Sequence, residues 1–294
     1  MSSLTPKRLG LVAGWGRYPL VVAQALKQQG YEVHCAAVKD HADPALAALC
    51  DSYLPAGVAR MGAMIRHFRR HDCSQATMAG KIHKASVLFR RWGWVTHFPD
   101  VTTIRGFFPH FIAGTKDRRD DSLLLTVVEI FARGEIHFAP ATDFVPELLV
   151  KPGSVTRRSL TAAQQKDVEF GWRMAKELGR LDIGQTVVVK GQSVIAVEAI
   201  EGTDECIRRA GQLCPQGGFT VVKTAKPQQD MRFDVPTVGL GTLETIAKAG
   251  GAVLAVEAGR TILLDEPEFI ALANRLGLCV TALQSPITTA VEAA

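Results

Sequence analysis

The sequence predicts an α/β protein, in which a parallel, doubly wound sheet is followed by a second half of mixed α/β structure. Short apolar runs alternate with segments of helical periodicity along the first half, and this alternation favours a parallel sheet. The second half adds a hairpin signal at Gly191-Gln192, which requires antiparallel strands. At about 150 residues per domain, the 294 residues predict two domains, at 1–150 and 151–294.

Strand and helix candidates follow one another regularly in the first half. The apolar run 9–14 ends in a glycine, and apolar residues then recur at helical spacing from Tyr18 to Leu26. This pattern indicates a strand, a turn and a helix. The elements predicted after it are a strand at 31–38, a basic-faced helix at 60–70, a strand at 75–80, a helix at 120–133 and a strand at 135–139.

Residues 142–158 are the predicted linker, because they contain two prolines, Gly153 and few periodic apolar residues. The second half then mixes α and β signals without an internal repeat. Helices are predicted at 162–178, 203–213, 243–249 and 266–276, and strands at 186–190, 193–200, 219–223, 234–238, 252–256, 261–264 and 279–283.

Composition excludes several classes of protein. With 47% apolar and 21% charged residues, the chain is globular and not collagen-like, coiled-coil or disordered. The six cysteines form no CxxC pair, so we expect neither a thiolate zinc site nor a disulfide framework. No apolar stretch is long enough for a signal-peptide core or a membrane span, and we expect a cytoplasmic protein. The net charge of +5 favours anionic ligands but is below that of a dedicated nucleic-acid binder.

The first candidate site is the glycine turn Gly14-Trp15-Gly16-Arg17, at the predicted junction of a strand and a helix. Backbone N–H groups and the helix dipole favour a phosphate at such a junction. The turn has the first two glycines of a dinucleotide fingerprint but lacks the third, and Asp40 is a weak match to the acid that binds the ribose. The motif therefore indicates either a phosphate or nucleotide site or an ordinary tight turn.

A second candidate is Gly80-Lys81, which follows the strand predicted at 75–80. This position puts Lys81 at the carboxyl edge of the sheet, where open α/β folds bind their ligands. A lysine that is merely solvated is the alternative.

An aromatic and basic segment occupies residues 81–119. It contains eight Lys or Arg, two Asp and seven of the twenty aromatic residues of the chain. This mixture is compatible with nucleic acid, with a membrane interface, or with an apolar groove for a lipid that carries phosphate. A domain-interface helix that packs its aromatic side chains is the alternative without a ligand.

Two acidic motifs in the second half carry the sharpest chemical signal. If residues 230–234 are extended, Asp230, Arg232 and Asp234 project on one face. Carboxylates can hold Mg²⁺ or orient a water, while basic side chains neutralise phosphate charge. A surface strip of ion pairs is the alternative. The candidate residues are Glu198, Glu201, Gly202, Thr203 and Asp204 in the first motif and Lys223, Lys226, Asp230, Arg232 and Asp234 in the second.

At these motifs the sequence resembles the LpxI-type UDP-2,3-diacylglucosamine pyrophosphatases of lipid A biosynthesis. The resemblance spans nearly the whole chain, and the last three segments that carry it are specific to the family. The segments are LGLVAGWGRYP (9–19), AGKI (79–82), DDSLL (120–124), LDIGQTVVV (181–189), VEAIEGTDECIRRAG (197–211) and VVKTAKPQQDMRFDVPTVG (221–239).

The resemblance implies a cytoplasmic, Mg²⁺-dependent hydrolase. It would split UDP-2,3-diacylglucosamine into UMP and 2,3-diacylglucosamine 1-phosphate (lipid X), with water attacking the sugar-side phosphorus. A Rossmann-like N-terminal domain and a C-terminal α/β domain would enclose the ligand, with the acyl chains in an apolar cavity. No nucleic-acid partner is expected, whereas a peripheral contact with the inner membrane and a homodimer are left open.

Residue roles follow from the same resemblance. Asp230 is expected to be the essential acid, which binds Mg²⁺ or positions the attacking water, with Glu201 and Asp234 as further metal ligands. The catalytic residues expected are Asp230, Asp234, Arg232 and Lys223, and the substrate contacts are Gly14, Gly16, Arg17, Gly80, Lys81, Gly202, Thr203, Asp204 and Lys226. The alternatives are a noncatalytic regulator that binds a sugar nucleotide or lipid, which the retained carboxylates disfavour, and an NAD(P)-dependent oxidoreductase, which the missing third glycine disfavours.

Overall fold

The structure, a computed structural model, describes residues 7–82, 98–111, 120–232 and 235–284. The chain divides into two compact units. The first runs to Pro146 and takes in the short segment that begins at Met231, and the second begins at Glu147. The first unit holds a parallel sheet with helices and the second a mixed sheet with helices, which confirms the predicted fold class.

The strands of the first unit are β1 (Lys7–Ala13), β2 (Tyr31–Val38), β3 (Ser52–Ala56), β4 (Gln75–Ala79) and β5 (His137–Phe138). Its helices are α1 (Tyr18–Gln28), α2 (Leu46–Leu49), α3 (Met61–Arg70), α4 (Val101–Phe111), α5 (Asp120–Arg133) and α6 (Ala141–Phe144). A short 3₁₀ helix, Pro146–Leu148, follows them.

The five strands pair in the order β3-β2-β1-β4-β5, and every pair is parallel. The chain leaves β1 toward β2 on one side and reaches β4 on the other, so the strand order reverses between β1 and β4, as in doubly wound folds. Residues 33–38 of β2 are all buried, which is typical of a strand covered on both faces. On one of those faces α3 and α5 share a core that includes Phe68 and Phe131.

Several elements of this unit were not predicted from the sequence, among them β3 and α4. The strand β3 contains Pro55, which suggests a loop, but β3 lies at the edge of the sheet, where proline is tolerated. The helix α4 begins after Asp100, whose carboxylate accepts a hydrogen bond from the Thr103 N–H at 3.0 Å. The same carboxylate accepts one from the Ala63 N–H in α3 at 3.1 Å, which ties the two helices together.

The helices of the second unit are α7 (Ala162–Arg180), α8 (Thr203–Leu213), α9 (Leu240–Lys248) and α10 (Glu266–Arg275). Its strands are β6 (Gly153–Ser154), β7 (Thr186–Lys190), β8 (Ser193–Val197), β9 (Thr220–Lys223), β10 (Thr237–Val238), β11 (Val253–Glu257), β12 (Ile262–Leu263) and β13 (Cys279–Leu283).

Six of these strands form one sheet in the order β6-β13-β11-β9-β7-β8. Its centre, β9, β11 and β13, is parallel, whereas β6, β7 and β8 run antiparallel to their neighbours. The remaining two, β10 and β12, pair with each other in a parallel sheet of their own.

Alternate residues of the six-stranded sheet enter two separate cores. Val222 and Ala255 pack with Trp172 of α7 on one face. Val221 and Leu254 pack on the other face with residues of α8, α9 and α10. The period of two in these strands therefore places α7 on one side and three helices on the other.

The predicted hairpin at Gly191-Gln192 is confirmed, since β7 and β8 pair across it. Both turn residues have positive φ, at 58° and 57°, as the two central residues of a type I′ turn require. The buried Asp167 of α7 accepts hydrogen bonds from both of their N–H groups, at 3.1 and 2.6 Å, and so holds the turn against the helix.

The segment predicted as a linker, 142–158, is partly regular. It contains most of α6, the whole 3₁₀ helix and the strand β6, in which Ser154 pairs with Thr281 at the edge of the second sheet. A pairing of two residues has too little periodicity to be visible in the sequence. Within the described ranges no helix is long and apolar enough to cross a bilayer.

Candidate functional site

In the first unit, the predicted glycine turn at 14–17 and the Gly80-Lys81 segment, here called the paired glycine turns, meet at the carboxyl edge of the sheet. The Gly14 N–H donates to the carbonyl of Ala79 at 2.8 Å, and Trp15 and Lys81 exchange backbone hydrogen bonds at 2.8 and 3.0 Å. The turns are closely packed: a Cβ on Gly80 would lie 2.8 Å from the carbonyl carbon of Gly14. The strand order therefore brings together residues that are far apart in sequence, at the switch point where open α/β sheets bind ligands.

Among the described residues, the outer side of this pair of turns is open. Gly16 has φ +105°, and a Cβ there would meet no atom of those residues within 4 Å. Arg17 is the N-cap of α1 and Pro19 lies in its first turn, so the chain enters the helix with backbone N–H groups at the turn. Trp15 is 52% exposed and Lys81 is also exposed. This arrangement can accept an anionic group beside an aromatic surface.

In the second unit, Lys223 ends β9 and is 7% exposed. Its Nζ donates to the Thr203 hydroxyl at 3.1 Å and to the carbonyl of Thr237 at 3.2 Å. The Thr203 hydroxyl in turn donates to the carboxylate of Glu198 at 2.9 Å. The hydroxyl of Thr186 lies 3.4 Å from it. One hydroxyl therefore connects a buried ammonium group with a buried carboxylate.

Glu198 keeps a second oxygen, Oε2, that is buried and has no hydrogen-bond partner in the described part of the chain. A buried acceptor without a partner is costly, and such groups in folded proteins point to a strained, functional or ion-binding position. Glu198 directly follows β8, and the sequence marked it only as the first acid of its motif.

The other predicted residues of the first acidic motif surround the beginning of α8. Gly202 is its N-cap with φ +84°, and Asp204 in its first turn accepts a hydrogen bond from the Thr242 hydroxyl at 3.1 Å. Thr242 is not among the site residues predicted from the sequence. Its position after the glycines at 239 and 241, at the start of a helix, could have indicated a hydroxyl that makes side-chain hydrogen bonds there. The beginnings of α8 and α9 are thus joined through side chains.

The carboxylate of Glu201 has hydrogen-bond partners close to it in sequence. It pairs with Arg209 at 2.5 Å and accepts the Ala199 N–H at 3.1 Å. Hydrogen bonds from its own backbone N–H and from Arg209 lower the pKa of the Glu201 carboxyl. A cation at Glu201 would have to compete with Arg209.

The predicted extended strip at 230–234 is wrong at its centre, because Met231 and Arg232 form a turn. The strand predicted at 234–238 is shorter, and β10 begins at Thr237. Alternation along an extended chain therefore does not place Asp230 and Arg232 on one face. Both residues are half-buried, and Asp234 lies outside the described residues.

The side chain of Lys226 is paired with a carboxylate of the same unit. Its Nζ lies 2.6 Å from a carboxylate oxygen of Asp182, and its N–H donates to the side chain of Gln229 at 2.9 Å. Its predicted role at the diphosphate would require the ammonium group to leave Asp182.

The described residues contain no group of three or more His, Cys, Asp or Glu that could hold a metal ion. Glu201 and Asp230 of the predicted trio are described, and the third, Asp234, is not. Glu198 and Asp230 nevertheless carry oxygen atoms of the type that a hard cation prefers.

Much of the aromatic and basic segment, at 83–97 and 112–119, lies outside the described residues. Its described part is α4 and the residues that precede the helix. These present a series of exposed apolar side chains, Phe98 (54%), Val101 (64%), Ile104 (46%) and Phe108 (49%).

Comparisons with known proteins cover both units. A family model described as the LpxI N-terminal domain matches residues 8–148, and one described as the LpxI C-terminal domain matches residues 151–281. A protein of Caulobacter vibrioides named UDP-2,3-diacylglucosamine pyrophosphatase LpxI is 30% identical over 283 residues, which are 93% of this chain and 96% of that protein.

Proposed function

The chain belongs to the LpxI family, and we propose that it hydrolyses the diphosphate of UDP-2,3-diacylglucosamine to UMP and 2,3-diacylglucosamine 1-phosphate. The observation that carries this proposal is the extent of the similarity. The Caulobacter vibrioides relative named for this activity matches over 96% of its own length, so both units are included. The substrate is anionic, in agreement with the net charge of +5.

The nucleotide end of the substrate is proposed to bind at the paired glycine turns of the first unit. Gly14 and Gly80 allow the two turns to approach, and Gly16 leaves space where a side chain would project. The beginning of α1 and Arg17 supply N–H groups and positive charge for a phosphate. Lys81, exposed at the same edge, adds a second cation.

The diphosphate is proposed to be recognised by the Lys223 network of the second unit. Lys223 is held by Thr203 and the Thr237 carbonyl, so its charge is fixed in place before a substrate arrives, which is the condition for electrostatic stabilisation of a transition state. Arg232 would add a planar guanidinium group suited to phosphate oxygens. Gly202 and Asp204 would shape the loop at the beginning of α8.

Asp230 is proposed to be the essential acid. As a half-buried carboxylate it can accept a proton from a water and orient that water toward phosphorus, or it can supply an oxygen to a divalent cation. Asp234, two peptide groups beyond Arg232, is proposed to assist it.

We propose that the reaction depends on Mg²⁺. The residues fit a hard cation in chemical type, since Glu198 keeps a buried oxygen without a hydrogen-bond partner among the described residues and Asp230 is a further carboxylate. When bound, the cation would neutralise diphosphate oxygens and stabilise charge on the leaving phosphate. Glu201 would join the ligands only by giving up Arg209.

The acylated end of the substrate, or the membrane that supplies it, is proposed to contact the apolar side chains around α4. Four of them are 46–64% exposed, and burial of apolar surface from water is favourable. A homodimer and a peripheral contact with the inner membrane are compatible with this proposal.

A product assay tests the proposed function. The purified chain is incubated with UDP-2,3-diacylglucosamine and Mg²⁺, and UMP and the acylated sugar phosphate are separated and quantified. We expect both products in equal amounts and their loss in excess EDTA, with recovery on adding Mg²⁺. Undiminished turnover in EDTA would contradict the metal requirement, and tight binding without product would instead indicate a regulator that binds the same ligand.

A further inference from the structure

The loop that leads to Asp230 begins at Ala225, whose N–H and C=O are held by a largely buried ion pair. Lys176 of α7 and Glu257 at the end of β11 lie 2.7 Å apart. The same Glu257 oxygen accepts the Ala225 N–H at 2.8 Å, and Lys176 Nζ donates to the Ala225 carbonyl at 3.1 Å. Both Glu257 and Ala225 are fully buried.

Such a pair fixes geometry more than it adds stability. Removing two charges from water offsets much of the attraction between them, so a buried ion pair contributes little net stability. Here, however, the N–H of Ala225 is bound by the Glu257 carboxylate and its C=O by the Lys176 ammonium group. Hydrogen bonds to charged groups are short and directional. The position of Ala225 is therefore set by a helix and a sheet together.

The next residues lie against the end of α7. The Gln228 side chain donates to the carbonyls of Gly179 and Arg180 at 3.4 Å, and Lys226 pairs with Asp182 at 2.6 Å. A Cβ on Gly179 would be 3.2 Å from the Cα of Lys226. This glycine thus lets the loop backbone lie directly on the helix.

We propose that Lys176, Glu257 and Gly179 are positioning residues that set the location of Asp230 for the hydrolysis. They act on the reaction through the loop at 225–229. The inference rests on the proposed function, because it takes Asp230 as the essential acid. A misplacement of about 1 Å can cost about a hundredfold in rate, so a displacement of a few tenths of an ångström is measurable.

Two substitutions test the proposal in the full-length chain. Gly179→Ala favours the helical conformation of α7. Its Cβ would lie 3.2 Å from the Cα of Lys226, however, and would push the loop at 225–229 away from the helix. Glu257→Gln retains the shape of the side chain and an acceptor for the Ala225 N–H, and weakens the attraction to Lys176. Glu177→Ala, an exposed position on the same helix, is the matched control.

For each variant, kcat, KM, melting temperature and amide hydrogen exchange at 224–230 are measured. We expect kcat to fall about threefold to tenfold for Gly179→Ala and about tenfold or more for Glu257→Gln, with KM within about twofold, because ground-state contacts are retained. Exchange in the loop should accelerate in both variants. Gly179→Ala should melt no lower than the parent, a result that separates positioning from loss of stability.

Turnover per folded molecule equal to that of the parent in both variants would overturn the inference, as would unchanged exchange in the loop. A parent chain that releases no UMP would overturn the proposed function instead. The exchange measurement would then still decide whether Lys176, Glu257 and Gly179 anchor the loop.

Discussion

At the scale of single residues, the Thr203 hydroxyl connects two charged side chains of the second unit. It accepts a hydrogen bond from Lys223 and donates one to Glu198, and both of those side chains are 7% exposed. A buried charge that loses its hydrogen-bond partner carries its full desolvation cost. The Thr203 hydroxyl is therefore a hydrogen-bond partner of two buried charged groups.

Thr203→Val removes this hydroxyl while nearly conserving side-chain volume. We expect the free energy of unfolding to fall by about 1–3 kcal/mol, since an ammonium group and a carboxylate each lose a partner. Urea denaturation of the purified variant measures the change. Thr203→Ser, which restores the hydroxyl, should recover most of the loss, and equal stability of the valine and serine variants would show that the hydroxyl has no role.

Asp230 is the residue on which the proposed reaction depends most. In Asp230→Ala we expect kcat to fall by about a hundredfold or more, because the carboxylate is proposed to act on the water or on transition-state charge, while affinity for the diacyl nucleotide is retained. Steady-state kinetics and ligand binding on the same preparation measure both quantities.

The control for this substitution is Glu244→Ala, which removes an exposed carboxylate whose pair with Lys248 is long, at 3.7 Å. Surface pairs of this kind contribute little, so its turnover should equal that of the parent. A folded Asp230→Ala protein with full activity would refute the assignment.

At the scale of elements, the paired glycine turns depend on the absence of side chains. A Cβ at Gly80 would lie 2.8 Å from backbone atoms of Gly14 and Trp15, and Gly80 also has φ +92°. Gly30, after α1, has a similar φ of +81°, but a Cβ there would meet no atom of the described residues within 4 Å. The two glycines therefore share a positive φ and differ in packing.

This difference predicts the effect of alanine. Gly30→Ala should cost about 1–2 kcal/mol, the strain of a left-handed conformation. Gly80→Ala should cost about 1–3 kcal/mol more, the scale of overpacking, and it should also weaken nucleotide binding. Urea midpoints and UMP titrations of the two variants provide the comparison, and equal midpoints would mean that the contact between the turns relaxes without cost.

The elements β2, β3 and α3 also enclose a cluster of histidines. The Ser52 hydroxyl lies 2.8 Å from Nδ1 of His34 and 3.1 Å from Nε2 of His67, and the rings of His34 and His71 stack with centroids 4.3 Å apart. Burial, with a smaller effect of His71, lowers the pKa of His67 to about 4 and also lowers that of His34. In this structure the buried His34 belongs to the packing of the unit.

The cluster predicts loss of stability in acid. The pKa of His67 is lower in the folded chain than in the unfolded chain, so the unfolded state binds more protons between pH 6.5 and 4. Stability present above pH 6.5 should therefore decline as the pH falls toward 4. Urea midpoints from pH 7.5 to 4.5 measure this decline, which His67→Gln should reduce. His137→Gln, at an exposed position, should leave it unchanged.

At the scale of the whole molecule, the proposed substrate joins a nucleotide to acyl chains. The first unit contains both the paired glycine turns and the exposed apolar side chains of α4. Each buried methylene contributes about 0.8 kcal/mol, so acyl chains should dominate affinity. A soluble sugar nucleotide lacks that contribution.

We therefore expect UDP-N-acetylglucosamine to be hydrolysed with a kcat/KM at least about a hundredfold below that of the diacyl compound. Ile104→Ser in α4 should raise KM for the diacyl compound only. Leu213→Ser, at a position that is also exposed (62%) but lies in α8, is the matched control. Equal hydrolysis of the two substrates would exclude a role for the apolar side chains in recognition.

Much of the fold could be predicted because its signals are local. Apolar periodicity located α1, α3, α7 and α8 to within about two residues, and two turn residues located the β7–β8 hairpin. The strand β3 was missed because Pro55 is compatible with a strand only at a sheet edge. An edge is a property of strand order, which no local pattern contains.

The sequence by itself determined the α/β class, the residue types available for chemistry and, through its motifs, the family resemblance. Those features depend on spacing along the chain. Only the tertiary structure decided which polar groups are partners: Lys223 with Thr203, Lys226 with Asp182, Glu201 with Arg209 and Glu257 with Lys176. In every pair except Glu201 with Arg209, the two residues are at least 20 positions apart in sequence. Only folding brings such residues within the few ångströms at which hydrogen bonds form and charges are removed from water.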